Sequence, residues 1–133
     1  MTIFDNLPAG LREAAQESAQ AFLDEVVGIT AVVVATVDGF DLASAVRGGQ
    51  DPARIAAMAS SISAISGVVA QEAGLGEYRS VTIGAGAGFA IVHTVVRSDV
   101  ELVINIIADG NAILAMALHR IARMAKSLAS HGA

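Results

Sequence analysis

The sequence predicts an α/β (α+β) domain built from one antiparallel sheet with helices on both of its faces. Its 133 residues suit one compact domain, so we expect residues 1–133 to form a single unit. Apolar periodicity gives the element order α-β-β-α-β-β-β-α, in which two hairpin-type sets of strands flank a crossover helix. The first and last strands are almost wholly apolar, which predicts a central position for both.

The first three elements follow from caps, turns and periodicity. Asn6 as a cap and Pro8 near the helix start predict a first helix that runs to about Val27. An uncharged strand follows from Ile29 to Val37, and Asp38-Gly39 is a strong hairpin signal. The returning strand, Phe40 to Arg47, carries two charges, as an edge strand often does.

The remaining elements begin at Asp51-Pro52, a good N-cap followed by a proline at the first helical position. This second helix extends to about Ala73. Three strands and a last amphipathic helix then follow at Tyr78–Gly84, Phe89–Arg97, Val100–Ala108 and Ala112–Leu128. The buried stripe expected on the last helix is Leu114, Leu118, Ile121, Ala125 and Leu128.

The second helix has no charged residue between Ile55 and Gln71. A helical wheel places Ile55, Met58, Ile62, Ile65 and Val69 on one face, which we expect to cover the sheet. The opposite face is small and uncharged, where a solvent-exposed helix normally carries Lys or Glu. It consists of Ala56, Ala57, Ser60, Ser63, Ala64, Gly67 and Gln71.

Three structures can explain this small-residue face. A transmembrane helix would be at the short limit of length, holds four serines and lacks flanking aromatic residues. A helix buried within the monomer would need more covering elements than the chain offers. Packing against a second copy of the chain is the interpretation we favour, because small residues permit close backbone approach.

The strand after this helix supports the dimer interpretation. It is predicted at the sheet edge opposite the charged strand, has one charge and contains no proline, so it is poorly protected against edge pairing. The predicted dimer interface therefore includes Tyr78, Ser80 and Thr82 in addition to the small-residue face.

The sequence contains no recognisable catalytic motif, and we expect no catalytic residue, cofactor or metal site. Cysteine is absent, and no P-loop or nucleophile elbow occurs. His93, His119 and His131 lack metal-ligand spacing. The net charge of −5 argues against nucleic-acid binding. No signal peptide is apparent, which predicts a cytoplasmic protein.

Three segments resemble the roadblock family of dynein light chains and their bacterial relatives that regulate small Ras-like GTPases. They are Val32–Ala43, Ala56–Ile62 and Gly74–Glu77, and the resemblance covers roughly Phe22 to Leu128. It implies a three-layer, profilin-like fold with strand order 2-1-5-4-3. It also implies homodimers formed through the second helix and the third strand.

The resemblance implies a non-enzymatic, homodimeric adaptor that binds a small Ras-like GTPase and can modulate its nucleotide cycle. Arg54, which flanks the second helix, is a candidate partner-binding residue. Membrane insertion is not expected. The alternative is a small-molecule sensor, which would need several convergent polar groups in a pocket. His93, Thr94 and Asn105 are the main polar residues that the apolar strands offer.

Overall fold

A computed structural model describes residues 7–132 of the chain. The predicted element order is confirmed, and each predicted strand and helix has a counterpart. The elements are α1 (Leu11–Glu25), β1 (Ile29–Thr36), β2 (Asp41–Val46), α2 (Pro52–Glu72), β3 (Ser80–Ala85), β4 (Gly88–Val95), β5 (Leu102–Asp109) and α3 (Leu114–Ser130).

The five strands form one antiparallel sheet in the order β2-β1-β5-β4-β3. The apolar strands β1 and β5 are neighbours at the centre, as their composition predicted. The strand order implied by the family resemblance is therefore confirmed. It leaves β2 at one edge of the sheet and β3 at the other.

Strand alternation divides the core between the two faces of the sheet. On one face, Leu102, Ile104 and Ile106 of β5 join the main core with residues of α1 and α3. On the other face, Ala31 and Val33 of β1 pack with residues of α2. The molecule thus has three layers, with α1 and α3 on one side of the sheet and α2 on the other.

Two predicted local signals have the expected geometry. Gly39 has a φ of 96° in the β1–β2 hairpin, a conformation that favours glycine. The Asp51 side chain accepts a hydrogen bond of 3.1 Å from the Ala53 N–H and caps α2.

The start of α1 differs from the prediction. The helix begins at Leu11, after Gly10 in the N-cap position, and Gly10 offers no side-chain cap. Pro8 precedes the helix, and its carbonyl accepts the Leu11 N–H. Asn6, the predicted cap, lies outside the described residues.

The buried stripe of α3 is partly different from the prediction. Ile121, Ala125 and Leu128 are buried as expected, together with Ala117 and Met124. Leu114 is 40% exposed because it is the first residue of the helix, before the turns that pack on the sheet.

Candidate interaction surfaces

The face of α2 that covers the sheet is only partly the one we predicted, since Ile55 and Ile62 pack there but Met58, Ile65 and Val69 do not. Ile55, Ala56, Ala59 and Ala70 are its buried residues, so mostly small side chains lie against the strands. Small side chains let the helix approach the sheet closely. The sheet-facing side of the helix is rotated from the predicted one, so that Ala56, Ala59 and Ala70 lie against the strands instead of Met58, Ile65 and Val69.

The outward face of α2 carries large apolar side chains. Met58 is 49% exposed, Ile65 64%, Val68 63% and Val69 60%. Met58, Ile65 and Val69 belong to the face expected to cover the sheet, and this expectation was wrong. A contiguous exposed apolar surface on a helix is typical of an interaction site. We call these four residues the outer apolar face.

The residues of the predicted small-residue interface differ in how far they are exposed at the surface. Ala56 is fully buried against the sheet and is therefore not available at the surface. Ser60 and Ser63 are half-buried and bonded within the chain: Ser60 donates to the Val37 carbonyl, and Ser63 pairs with the Tyr78 hydroxyl. Gly67 is half-buried, whereas Ala57, Ala64 and Gln71 are exposed.

Strand β3 is open on its outer edge and poorly covered on both faces. Ser80 and Thr82 are exposed, and they lie opposite His93 and Ile91 on the α3 side of the sheet. Ile83, 42% exposed, lies on the α2 side. Within residues 7–132, no side chain hydrogen-bonds to the backbone of β3.

The opposite edge, strand β2, is covered by α1. The Gln16 amide donates to the Ser44 carbonyl at 2.7 Å and accepts from the Ser44 N–H at 3.1 Å. Arg12 donates to the Leu42 carbonyl at 3.2 Å. These side chains occupy backbone groups that another strand would use, and so they protect this edge from pairing.

A cavity of about 260 Å³ lies between the C-terminal half of α2 and the start of β3. Its polar lining comes from Ser63, Gln71, Glu77, Tyr78, Thr94 and Glu101. Burial raises the pKa of the Tyr78 hydroxyl, the hydrogen bond with Ser63 lowers it, and the charge of Glu101 raises it further. Tyr78, predicted at the interface, therefore links α2 to the start of β3.

The three polar residues considered for a sensor do not converge. His93 lies on the α3 side of the sheet, whereas Asn105 is buried on the α2 side with its Oδ1 unpartnered. Thr94 lies near the end of β4, where its hydroxyl donates to the Arg79 carbonyl.

Arg54, the candidate partner-binding residue, is exposed in the first turn of α2. In the described part of the chain, no three His, Asp or Glu side chains are grouped as metal ligands.

Helix α2 is long and apolar enough to cross a membrane by length and composition alone. In the fold it lies across the sheet and is tied to β1 through Ser60 and the Val37 carbonyl. The absence of membrane insertion stays a prediction.

Comparison with known proteins identifies the fold. No family model matches the sequence, and no curated protein matches it. A roadblock/LC7 domain from Streptomyces avermitilis superposes with a TM-score of 0.74 at 20% identity, covering 85% of this chain and 92% of that one. MglB from Myxococcus xanthus gives 0.81 at 14% identity, covering 94% and 92%.

The profilin-like description is confirmed as well. Profilin IB from Acanthamoeba castellanii superposes with a TM-score of 0.51 at 18% identity, covering 86% of this chain and 99% of that one. The chain therefore has the roadblock/LC7 fold, as the resemblance implied. At these identities, the matches show the fold.

Sequence reasoning missed two features, the cover of the β2 edge and the large apolar side chains that α2 exposes. Gln16 and Arg12 look like ordinary solvent-facing residues of an amphipathic helix, and only the packing of α1 beside β2 brings them to its backbone. The exposure of Ile65 and Val68 was signalled by the absence of charge in α2, but a wheel alone does not fix which apolar arc faces the sheet.

Proposed function

We propose that this protein is a cytoplasmic, non-enzymatic roadblock-type adaptor that forms a homodimer and binds a small Ras-like GTPase. One observation carries the proposal: a roadblock fold that leaves both the outer apolar face of α2 and the β3 edge of the sheet without cover. In this proposal the protein binds the GTPase as a dimer and can change its nucleotide cycle.

Self-association is supported by the surface that the protomer leaves exposed. Four large apolar side chains exposed on one helix are unfavourable in water, and burying the part of each that is still exposed should contribute about 1 kcal/mol. An open edge strand offers backbone groups to another strand. Pairing β3 with its copy would be isologous and would close after two chains. The exposed members of the predicted interface, Ala57, Ala64, Gln71, Ser80 and Thr82, belong to or border this surface.

GTPase binding is supported by the fold and by the family resemblance of the sequence. Arg54 projects from the first turn of α2 on its exposed side, where a partner bound across the two α2 helices can reach it. We assign Arg54 to this contact as part of the proposal.

The test is titration of the protein with small Ras-like GTPases from the same cell, loaded with GDP or with a non-hydrolysable GTP analogue. Calorimetry gives affinity and stoichiometry, and phosphate release gives the hydrolysis rate with and without the protein. We expect nucleotide-dependent binding of one GTPase per dimer. Arg54→Glu should weaken this binding, and Arg54→Lys should retain part of it.

Two outcomes would overturn the proposal. A folded wild-type protein that binds none of these GTPases in either nucleotide state would exclude the GTPase partner. Tight binding of a metabolite by the same preparation would favour the sensor.

A further inference from the structure

We propose that a basic groove between α3 and the β3–β4 hairpin binds an acidic peptide segment of a partner protein. The basic groove is defined by five side chains: Arg79, His93, His119, Arg123 and Lys126. It has a volume of about 450 Å³, and no acidic residue lines it.

The helix places three of these side chains on one wall. His119, Arg123 and Lys126 are spaced i, i+4 and i+7, so they project from the same side of α3. The rise of an α-helix separates the first from the last by about 10 Å along the axis. Arg79 and His93 line the groove from the sheet, because His93 points to the α3 side of β4. The basic side chains therefore line the groove from both the helix and the sheet.

These cations are not neutralised within the described part of the chain. The ion pairs between residues 7 and 132 join Arg97 to Asp99 and Arg120 to Glu25. Arg79, Arg123 and Lys126 form none, although the chain as a whole has a net charge of −5. Like charges that lie together without counter-charges repel one another, and an anionic ligand relieves that repulsion.

The arrangement favours a peptide over other anions. In an extended peptide, side chains on the same side recur about every 6.7 Å, so alternate carboxylates can reach successive cations along the groove. Exposed Ala122 and half-buried Ala129 line the groove between the cations and can accept apolar parts of the peptide. A long nucleic acid would pass beyond the groove to the acidic remainder of the protein, which repels phosphates.

The basic groove does not depend on the proposed homodimer or on the GTPase. It lies on the α3 face of the sheet, whereas the outer apolar face belongs to α2 on the other side. A monomeric variant should therefore retain peptide binding.

The test is a fluorescence-anisotropy titration with labelled peptides of about eight residues, long enough in extended form to span the groove. One peptide alternates Glu with Ser, and matched peptides carry Lys or Gln in place of Glu. We expect saturable binding of the Glu peptide only, weakened as salt rises from about 50 to about 300 mM. Arg123→Glu/Lys126→Glu should weaken it about tenfold or more and should gain affinity for the Lys peptide.

Val27→Glu is the control, since it adds a carboxylate at a position that is 71% exposed and outside the groove, and it should leave binding unchanged. The proposal is overturned if the wild-type protein shows no saturable binding of the Glu peptide. A loss in Val27→Glu as large as that in the groove variant would also overturn it, because it indicates a non-specific charge effect. Tighter binding of a single-stranded oligonucleotide than of the Glu peptide would assign the groove to nucleic acid instead.

Discussion

The two edges of the sheet differ in their cover: side chains of α1 bond the backbone of β2, whereas the outer edge of β3 is open. At the β2 edge, Gln16 bonds both backbone groups of Ser44, and Arg12 bonds the Leu42 carbonyl. At the β3 edge, no such contact occurs within residues 7–132, and the neighbouring helix exposes large apolar side chains. A protein that protects one edge of its sheet and leaves the other open can pair with another chain only through the open edge. We therefore expect a closed dimer.

The largest effect should come from a charge placed on the outer apolar face. Val68→Glu would bury an unpaired carboxylate at the proposed interface, which we expect to weaken association by about 3 kcal/mol. Light scattering should then give the 13.5 kDa mass of one chain. Val27→Glu is the matched control, because Val27 is 71% exposed outside α2 and β3. If both variants remain dimers, the dimer does not use this face.

The next largest effect should come from the open edge itself. Ile83→Lys places a charge on β3, where lysine commonly discourages strand pairing. We expect the dissociation constant of the dimer to rise about tenfold, as measured by sedimentation equilibrium. Asp41→Lys puts the same side chain on β2 and should leave the constant unchanged. The reverse result would place the interface at the β2 edge.

Removing the cover of the β2 edge should have a smaller effect. Gln16→Ala deletes the two hydrogen bonds to Ser44, which should cost about 1 kcal/mol of unfolding free energy. The melting temperature should fall by about 4 °C. The uncovered edge should also produce species larger than a dimer at high concentration. An unchanged melting temperature and mass would show that Gln16 does not protect this edge.

Gly67→Ala distinguishes two possible dimer interfaces on α2. One is the small-residue face predicted from the sequence, and the other is the outer apolar face. Among residues 7–132, no atom outside the neighbouring helix backbone lies within 4 Å of a Cβ added at Gly67. The substitution should stabilise α2 by about 0.8 kcal/mol in denaturant unfolding and leave the dimer intact. Loss of the dimer would instead show that a second backbone packs closely at Gly67.

The smallest effect concerns Tyr78, the only tyrosine in the chain, so phenolate absorbance reports it directly. Burial raises its pKa above the usual 10.0. The folded protein thus holds the phenolic proton at a pH where the unfolded chain releases it, and stability should fall as pH rises above 10. Tyr78→Phe should lack this contribution. A midpoint at or below 10 would contradict the burial argument.

The sequence was sufficient to predict most of the fold but only part of the interaction surface. Charge-free β1, the Asp38-Gly39 turn and the Asp51-Pro52 cap are local signals, and each determined its element. The predicted orientation of α2 was wrong in part because residues 55–71 carry no charge, so the wheel could not separate the alanine face from the face containing Ile65 and Val68. The cover of β2 depends on contacts between Gln16 and Ser44, which are 28 positions apart.

The central claim is that β3 pairs with its copy, and amide hydrogen exchange tests it most directly. In wild-type protein at a concentration where the dimer forms, amides of Ser80–Ala85 should be protected as strongly as those of β2. In Val68→Glu, the β3 amides that face away from β4 should lose protection, whereas those bonded to β4 and those of β2 should keep it. A wild-type dimer whose β3 amides exchange as fast as those of the variant would contradict the account, and so would a wild-type monomer.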